Sequence, residues 1–335
     1  MKMVVLYGDY AARQADRLRR LLGDGYEIVP VPYDTPAERM RAVLAKTEIV
    51  VTNAYGPSDP PVPRLRLLQS PSAGMENVDA ALLPPGCAIR TVAGHGIPMS
   101  EFVLCAMLDW RIGFRSLTST VVDGRWSLRD WIKGPVHGEI HGATLGIVGF
   151  GHIGREIAIR ARAFGMDVRA MSRWHRERPP GDLVQHCFAM DERDAFLAPC
   201  DFVAITLSLT AETTGMVDSS WLGAMKPDGV LINVARGDVV RQDHLYMALA
   251  TKRIGGAIID VWYHYPDSVD EKVAMADHPF HTLPNVVISP HGSGRTHQMF
   301  ERRWIEIAAN IRAACSSRHH PGAHPPAVPG PGRGC

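Results

Sequence analysis

Residues 145–154 read LGIVGFGHIG, and no other stretch restricts the fold as much. An apolar run ends in glycines spaced G-x-G-x-x-G and passes at once into HIGREIAIRARAFG, so a strand turns directly into a helix. Gly149 permits the tight turn, and Gly151 removes a side chain where backbone must approach a ligand. Gly154 lets helix and strand pack closely. The helix N-terminus beyond such a turn attracts phosphate. Alone the motif is weak; between ATLGIV and DVRAMS it becomes strong and points to a bound dinucleotide.

The same alternation runs through the whole chain. KMVVLY, a helix in AARQADRLRRLLG, YEIVPV, a helix from about Ala37, EIVVTN, LRLLQS and CAIRTV make one α/β series. Pro98 then opens a long apolar helix, PMSEFVLCAMLDW, in a first-turn position that suits proline. A second series starts at Ala143: ATLGIVG, the glycine-turn helix, DVRAMS, DERDAFLA, DFVAITL, GVLINV, QDHLYMALA and GGAIIDVW. NVVISPHG and a last helix at about 297–315 follow, so the first layer is left and returned to. The expected fold class is α/β, with two Rossmann-like or flavodoxin-like domains, parallel sheets and a cleft between them. Residues 1–97 with 291–315 are read as the substrate domain, and 98–290 as the dinucleotide-binding domain. The tail 316–335, SSRHHPGAHPPAVPGPGRGC, is too poor in apolar surface to order and is read as disordered.

Composition serves mainly to exclude. A net charge of +1 gives no electrostatic reason to expect nucleic acid or an anionic membrane as partner. No apolar run is long enough to span a bilayer, and MKMVVLYGDY turns polar too early for a signal peptide. The six cysteines (87, 105, 187, 200, 315, 335) show no metal-type spacing, so no metal site is expected. Apolar surroundings such as FVLCAML point instead to buried free thiols in a reducing cytoplasm.

The strand after the glycine turn bears on which dinucleotide binds. A free ribose 2′-OH calls for an acidic residue at that strand's end; a 2′-phosphate calls for its absence and a nearby cation. The chain has MSRWHRER here, with Ser172, Arg173 and Arg176 and no acid until Glu177. A guanidinium fork suits a phosphate dianion and a serine hydroxyl can donate to it, so NADP(H) is favoured, with NAD(H) possible. In the alternative, Arg173 stacks on adenine and Arg176 is merely solvated.

MKPDGVLINVARGDVV, GGAIIDVW and LPNVVISPHGSG follow the glycine turn in that order, and LLQSPSAGMENVD precedes it. With these, the chain over about residues 1–315 resembles the D-isomer-specific 2-hydroxyacid dehydrogenases, which include glyoxylate/hydroxypyruvate reductases. The resemblance implies that Arg236 clamps the substrate's carboxylate and carbonyl oxygens, a task that fits a permanently charged planar fork. It implies that His291 is the general acid that protonates the carbonyl oxygen. Ser72, Ala73 and Gly74 match the loop whose backbone N–H groups hold the carboxylate, and Asp260 the aspartate near the nicotinamide. Thr206, Leu207 and Ser208 fall where the family lines the cofactor, with LSLT in place of the usual LPLT. The neighbours His152, Ile153, Val234, Ala235 and Ser293 complete the expected cofactor set. A homodimer is implied too, with Trp110, Trp126 and Trp131 suited to a buried contact, or equally to the core or the roof of the active site.

Two positions depart from the pattern. Most members carry a glutamate partner for the catalytic histidine five residues after the aspartate, where this chain has Tyr265; formate dehydrogenases have glutamine. A phenol adds no negative charge, so reductase activity is expected to fade at lower pH than in relatives, unless Asp267 or Asp270 swings in. His95, in VAGHGIPMSE, replaces an asparagine and would favour a substrate with a further anionic or hydroxyl group, or else simply bonds backbone at a hinge. Formate is disfavoured by both departures. Phosphite is disfavoured by Ala73, where phosphite dehydrogenases carry lysine. The expected function is NADPH-dependent reduction of a small 2-oxoacid to a D-2-hydroxyacid. The alternatives are oxidation of a hydroxyalkylphosphonate or other specialised metabolite, and a catalytically weak, nucleotide-sensing corepressor. Retention of Arg236 and His291 argues against the last.

Overall fold

Short, apolar, parallel strands dominate the computed structural model, which describes residues 1–114, 117–118, 136–173, 181–266 and 270–316. Trp126, Trp131, Arg176, Asp267 and the tail from 317 onward, all singled out above, lie outside the described residues. The chain divides into two units: Met1–Val92 with the segment from Glu301 onward, and Ala93–Phe300.

In the first unit the strands are β1 (Lys2–Tyr7), β2 (Tyr26–Val31), β3 (Ile49–Val51), β4 (Leu67–Gln69) and β5 (Ala88–Arg90). They form one parallel sheet in the order β2-β1-β3-β4-β5. Both faces of β1 are buried. Val4 and Leu6 pack with Leu18, Leu67, Trp304, Ile307 and Ile311 on one side. Val5 and Tyr7 pack with Val31, Leu44, Leu65 and Leu68 on the other. That explains the unbroken apolar run VVLY, as expected of a sheet covered on two faces. The predicted first helix is split: α1 (Asp9–Ala12) and α2 (Ala15–Leu22) are separated at Arg13–Gln14, and α3 spans Ala37–Leu44. The chain's last helix, His297–Ser316, supplies Trp304, which is wholly buried. On the same helix, Asn310 Nδ2 donates to Gln69 Oε1 (2.9 Å) at the end of β4.

Trp304 is the largest fully buried side chain. Trp304→Ala is expected to destabilise the first unit by about 3–5 kcal/mol, because the cavity adds to the lost transfer energy. Urea unfolding followed by circular dichroism checks this, and an unchanged midpoint would contradict it.

The second unit begins with α4 (Gly96–Ile112), whose buried residues include Met99, Val103, Leu104 and Met107. Cys105 falls on the opposite face with Glu101, four residues earlier, and is exposed. This corrects the expectation of buried thiols drawn from FVLCAML: helical spacing, not local apolarity, decides which residue turns inward. Of the five described cysteines only Cys200 is buried, and burial pushes its thiol up to about 12.

Seven parallel strands follow: β6 (Thr144–Val148), β7 (Asp167–Met171), β8 (His186–Phe188), β9 (Phe202–Ile205), β10 (Val230–Asn233), β11 (Gly256–Ile259) and β12 (Val286–Ile288). Their order is β12-β11-β10-β9-β6-β7-β8. Between them lie α5 (His152–Ala163), α6 (Arg193–Leu197), α7 (Ser219–Ala224) and α8 (Gln242–Ala250). The chain builds β6, β7 and β8 outward, then crosses back to lay β9 on the other side of β6. Ligands of open α/β sheets bind beyond the strand ends at such a reversal. The fold is thus a mixed α/β structure with two all-parallel sheets. Trp110 packs against Gly256, where an added Cβ would lie 2.0 Å from its ring, so it is partly buried within its own unit. No helix among the described residues is long and apolar enough to cross a membrane.

Candidate active site

The three glycines after β6 do three different jobs. Gly149 has φ +93°, a left-handed conformation that side chains disfavour, and an added Cβ would press on Leu207 at 2.9 Å and Thr206 at 3.1 Å. At Gly151 a Cβ would meet nothing within 4 Å, so the turn presents open backbone there. At Gly154 it would lie 2.6 Å from the Gly149 carbonyl oxygen, so only glycine lets α5 start so close to the turn. Thr206, at the end of β9, closes the reversal by donating its hydroxyl to the Gly149 carbonyl (2.5 Å). His152 is exposed and Ile153 half-buried at the start of α5. This cradle fits a dinucleotide's pyrophosphate.

At the end of β7, the Ser172 N–H donates to the Phe188 carbonyl (3.1 Å). Arg173 is exposed and forms an ion pair with Glu212, which follows β9. Sequence reading gave no sign of that carboxylate, because the partners are 39 residues apart.

Beyond β10, Asn233 fixes the turn that carries Arg236. Its Nδ2 donates to the Arg236 carbonyl (2.9 Å) and its Oδ1 accepts from the Ala235 N–H (3.1 Å). Val234 and Ala235 are buried. Gly237 lies so near the backbone of Trp262 that a Cβ would come within 2.3 Å of its carbonyl oxygen. The Arg-Gly pair thereby brings the 236 turn against the segment after β11, and the Arg236 charge acts on the Tyr265 phenol.

Asp260, at the end of β11, is fully buried, and its carboxylate is committed to the loop 289–293. It accepts from Ser289 Oγ (2.6 Å), the Gly292 N–H (2.8 Å) and the Ser293 N–H (3.1 Å). Those three bonds hold His291 at φ +55°, one of two non-glycine residues in the left-handed region among the described residues. Such a conformation costs free energy and persists only where the surroundings over-determine it.

The His291 Nδ1 lies 3.0 Å from the Tyr265 hydroxyl oxygen, which also accepts the Trp262 N–H (3.0 Å). Trp262 in turn donates its indole N–H to the Ser289 carbonyl (2.9 Å). The segment bearing Tyr265 is tied down by the Tyr263 and His264 N–H groups, both donating to the Met275 carbonyl, and by His264 Nε2 to Asp277 Oδ1 (2.9 Å). Burial pushes the Tyr265 phenol above its ordinary range, outweighing the Trp262 N–H and Arg236, while Asp260 and Asp238 push it the same way as burial. Tyr265 is therefore a neutral phenol at working pH. His95 precedes α4, with its ring carbon Cδ2 3.4 Å from where a Cβ on Gly294 would stand, so it borders the same loop.

The structure thus brings together Arg236, Asp260, Tyr265, His291, Ser293 and, at the edge, His95 within the second unit. Ser72, Ala73 and Gly74 belong to the first unit. Their loop follows β4, where the Ser72 N–H donates to Ser70 Oγ (3.1 Å) and the Ser72 carbonyl accepts the Val92 N–H (3.3 Å). Sequence reading missed Asn233, Trp262 and Ser289, which orient the others; Asn233 and Trp262 stand inside the very motifs quoted for Arg236 and Asp260. Among the described residues no group of three or more His, Cys, Asp or Glu is arranged to hold a metal ion.

A glycine cradle at the sheet's reversal, with an imidazole and a guanidinium on the strand ends that flank β11, defines a dinucleotide-dependent oxidoreductase. Comparison with known proteins makes this specific. Residues 104–293 match the family described as D-isomer specific 2-hydroxyacid dehydrogenase, NAD binding domain. The (S)-sulfolactate dehydrogenase of Chromohalobacter salexigens is 32% identical over 260 residues, 76% of this chain and 79% of that protein. Glyoxylate/hydroxypyruvate reductase B of Pectobacterium carotovorum is 34% identical over 244 residues, 70% of this chain and 71% of that protein. Among solved structures, an NADPH-dependent glyoxylate/hydroxypyruvate reductase from Sinorhizobium meliloti, in complex with NADP and sulfate, superposes with a TM-score of 0.72 at 22% identity. That match covers 94% of this chain and 96% of that one. The chain belongs to the D-isomer specific 2-hydroxyacid dehydrogenase family.

Proposed function

We propose that this protein reduces a small 2-oxoacid, of the glyoxylate or hydroxypyruvate kind, to the D-2-hydroxyacid, preferring NADPH and accepting NADH. The observation that carries the reading is the His291–Tyr265–Trp262 chain of hydrogen bonds beside Arg236, mounted on the strand ends next to the glycine cradle. Gly149, Gly151, His152, Ile153 and Gly154 would hold the pyrophosphate, Ser172 and Arg173 the adenosine ribose, and Thr206, Leu207, Ser208, Val234, Ala235, Asp260 and Ser293 the rest of the cofactor. Bound nicotinamide supplies the hydride. Arg236 binds the carboxylate and polarises the carbonyl, and His291 Nε2 delivers the proton to its oxygen. On the family pattern, Ser72, Ala73 and Gly74 add backbone donors for the carboxylate, and the protein is a cytoplasmic homodimer.

Tyr265 lets His291 serve in either protonation state. A phenol has one hydrogen and two lone pairs, and the Trp262 N–H takes one lone pair. The second lone pair receives Nδ1–H from the imidazolium, so that Nε2–H is the proton given to the substrate. In the neutral ring the hydroxyl hydrogen can instead be donated to Nδ1.

The test is a panel of 2-oxoacids with NADPH and NADH side by side, followed by cofactor absorbance. Rapid NADPH oxidation by glyoxylate or hydroxypyruvate is expected; no turnover with any 2-oxoacid would overturn the reading and favour a nucleotide-binding corepressor. His95 beside the 291–294 loop favours a second reading, in which the substrate carries an additional anionic group as the name of the Chromohalobacter relative indicates for that protein. The 2-oxoacid of sulfolactate and a phosphonate analogue therefore belong in the panel. Preference for either over glyoxylate, lost in His95→Ala, would establish the second reading.

A further inference from the structure

We propose that Glu212 is a specificity-determining residue that restrains the preference for a 2′-phosphorylated dinucleotide, by holding a carboxylate against the Arg173 guanidinium that would receive the phosphate. The inference rests on the reading above that the cofactor's adenosine ribose lies at the end of β7.

Arg173 is the second residue after β7, where open α/β sheets of this order read the ribose. Its Nη1 pairs with Glu212 Oε2, and both side chains are exposed, so a ligand reaches either of them. Glu212 does not hang on a loose loop. Thr213 Oγ1 donates to the Ser208 carbonyl (2.7 Å), the Thr210 N–H donates to Thr213 Oγ1 (2.8 Å), and Thr214 Oγ1 donates to the Thr210 carbonyl (2.8 Å). The same stretch begins at Thr206 and Leu207, which border Gly149. The carboxylate is thus mounted on the segment that completes the glycine cradle.

The consequence follows from charge. A phosphate dianion that takes the Arg173 fork must first displace the Glu212 carboxylate, and then remains beside a like charge. An unphosphorylated ribose displaces nothing. Its 2′-OH can donate to Glu212, which then does the work of the acid that the end of β7 lacks. Arg173 draws the 2′-phosphate and Glu212 subtracts from that attraction, so NAD(H) stays usable.

Adenosine 2′,5′-bisphosphate and AMP, titrated calorimetrically into the full-length protein, isolate the 2′-phosphate without turnover. Glu212→Gln is expected to tighten the bisphosphate by about 3- to 10-fold, the range for releasing an exposed ion pair and one like-charge contact, without tightening AMP. Glu212→Asp keeps the charge and should track the wild type, whereas Arg173→Ala should weaken the bisphosphate alone. The ratio of kcat/KM for NADPH over NADH should rise in Glu212→Gln. If Glu212→Gln leaves the bisphosphate-to-AMP ratio unchanged while Arg173→Ala lowers it, the ribose site stands and the role of Glu212 falls. A weaker bisphosphate in Glu212→Gln also overturns the proposal, since Glu212 would then serve to orient Arg173. If Arg173→Ala leaves the ratio unchanged, the ribose reading itself fails, and this inference with it.

Discussion

Replacing His291 with glutamine lowers kcat for 2-oxoacid reduction by about 10²- to 10⁴-fold, the usual worth of a positioned general acid, with cofactor dissociation constants near wild type. Glutamine can keep a hydrogen bond to the Tyr265 hydroxyl, but it has no proton to give at neutral pH. The backbone at this position is left-handed and is held by the buried carboxylate of Asp260, so the effect should be separable from loop collapse. Asp260→Ala tests that separation. It removes the acceptor of three donors, and should lower kcat while also lowering the thermal midpoint, which His291→Gln should not. Steady-state kinetics with fluorescence titration of the cofactor checks the pair. A loss of less than about tenfold in His291→Gln would remove the imidazole from proton transfer.

Tyr265→Glu extends reductase activity to higher pH. The sign follows from the proton that reduction consumes: the imidazolium is the active form, and activity declines as pH rises and that form is lost. A carboxylate within hydrogen-bond reach of Nδ1 favours the cation, by about 1–3 pH units for a close opposite charge. The phenol, held neutral by burial first and by Asp260 and Asp238 after it, contributes no such charge. The alkaline limb of kcat/KM should therefore move upward in Tyr265→Glu relative to wild type. Tyr265→Phe should lower kcat about 10- to 100-fold with little change in the limb, since it removes an orienting partner and no charge. Identical limbs in wild type and Tyr265→Glu would show that the 265 side chain does not face the titrating group during turnover.

How much of this was legible in the chain depends on whether the constraint was local. The glycine turn was legible because each glycine answers to a separate backbone demand within six residues. The long apolar strands were legible for the same reason: β1 and β6 are buried on both faces and read as continuous runs. His186–Phe188 was not, because this edge strand has no fully buried residue and QHCFAM offers neither an apolar run nor a clean alternation. The break at Arg13–Gln14 also left no mark, since both residues are good helix formers. Cys105 misled because an apolar neighbourhood in sequence is not a direction in space. At the site, Arg236 and His291 were identified through a family's ordered motifs, and neither residue type would have declared itself alone. Tyr265 was placed as the partner of His291 by the same motifs, 26 residues apart though they are, whereas the bonds from Asp260 to Ser289 and Gly292, across 29 and 32 residues, left no local sign.

The interrupted order of the chain also governs how it is made. Trp304, Ile307 and Ile311 cover one side of the first sheet, yet they are translated some three hundred residues after β1. During synthesis the amino-terminal strands therefore emerge with an uncovered oily flank, which stays so until the segment from Glu301 onward has been made. A chain cut short near residue 300 would keep that first sheet sticky and incomplete, a natural client for chaperones.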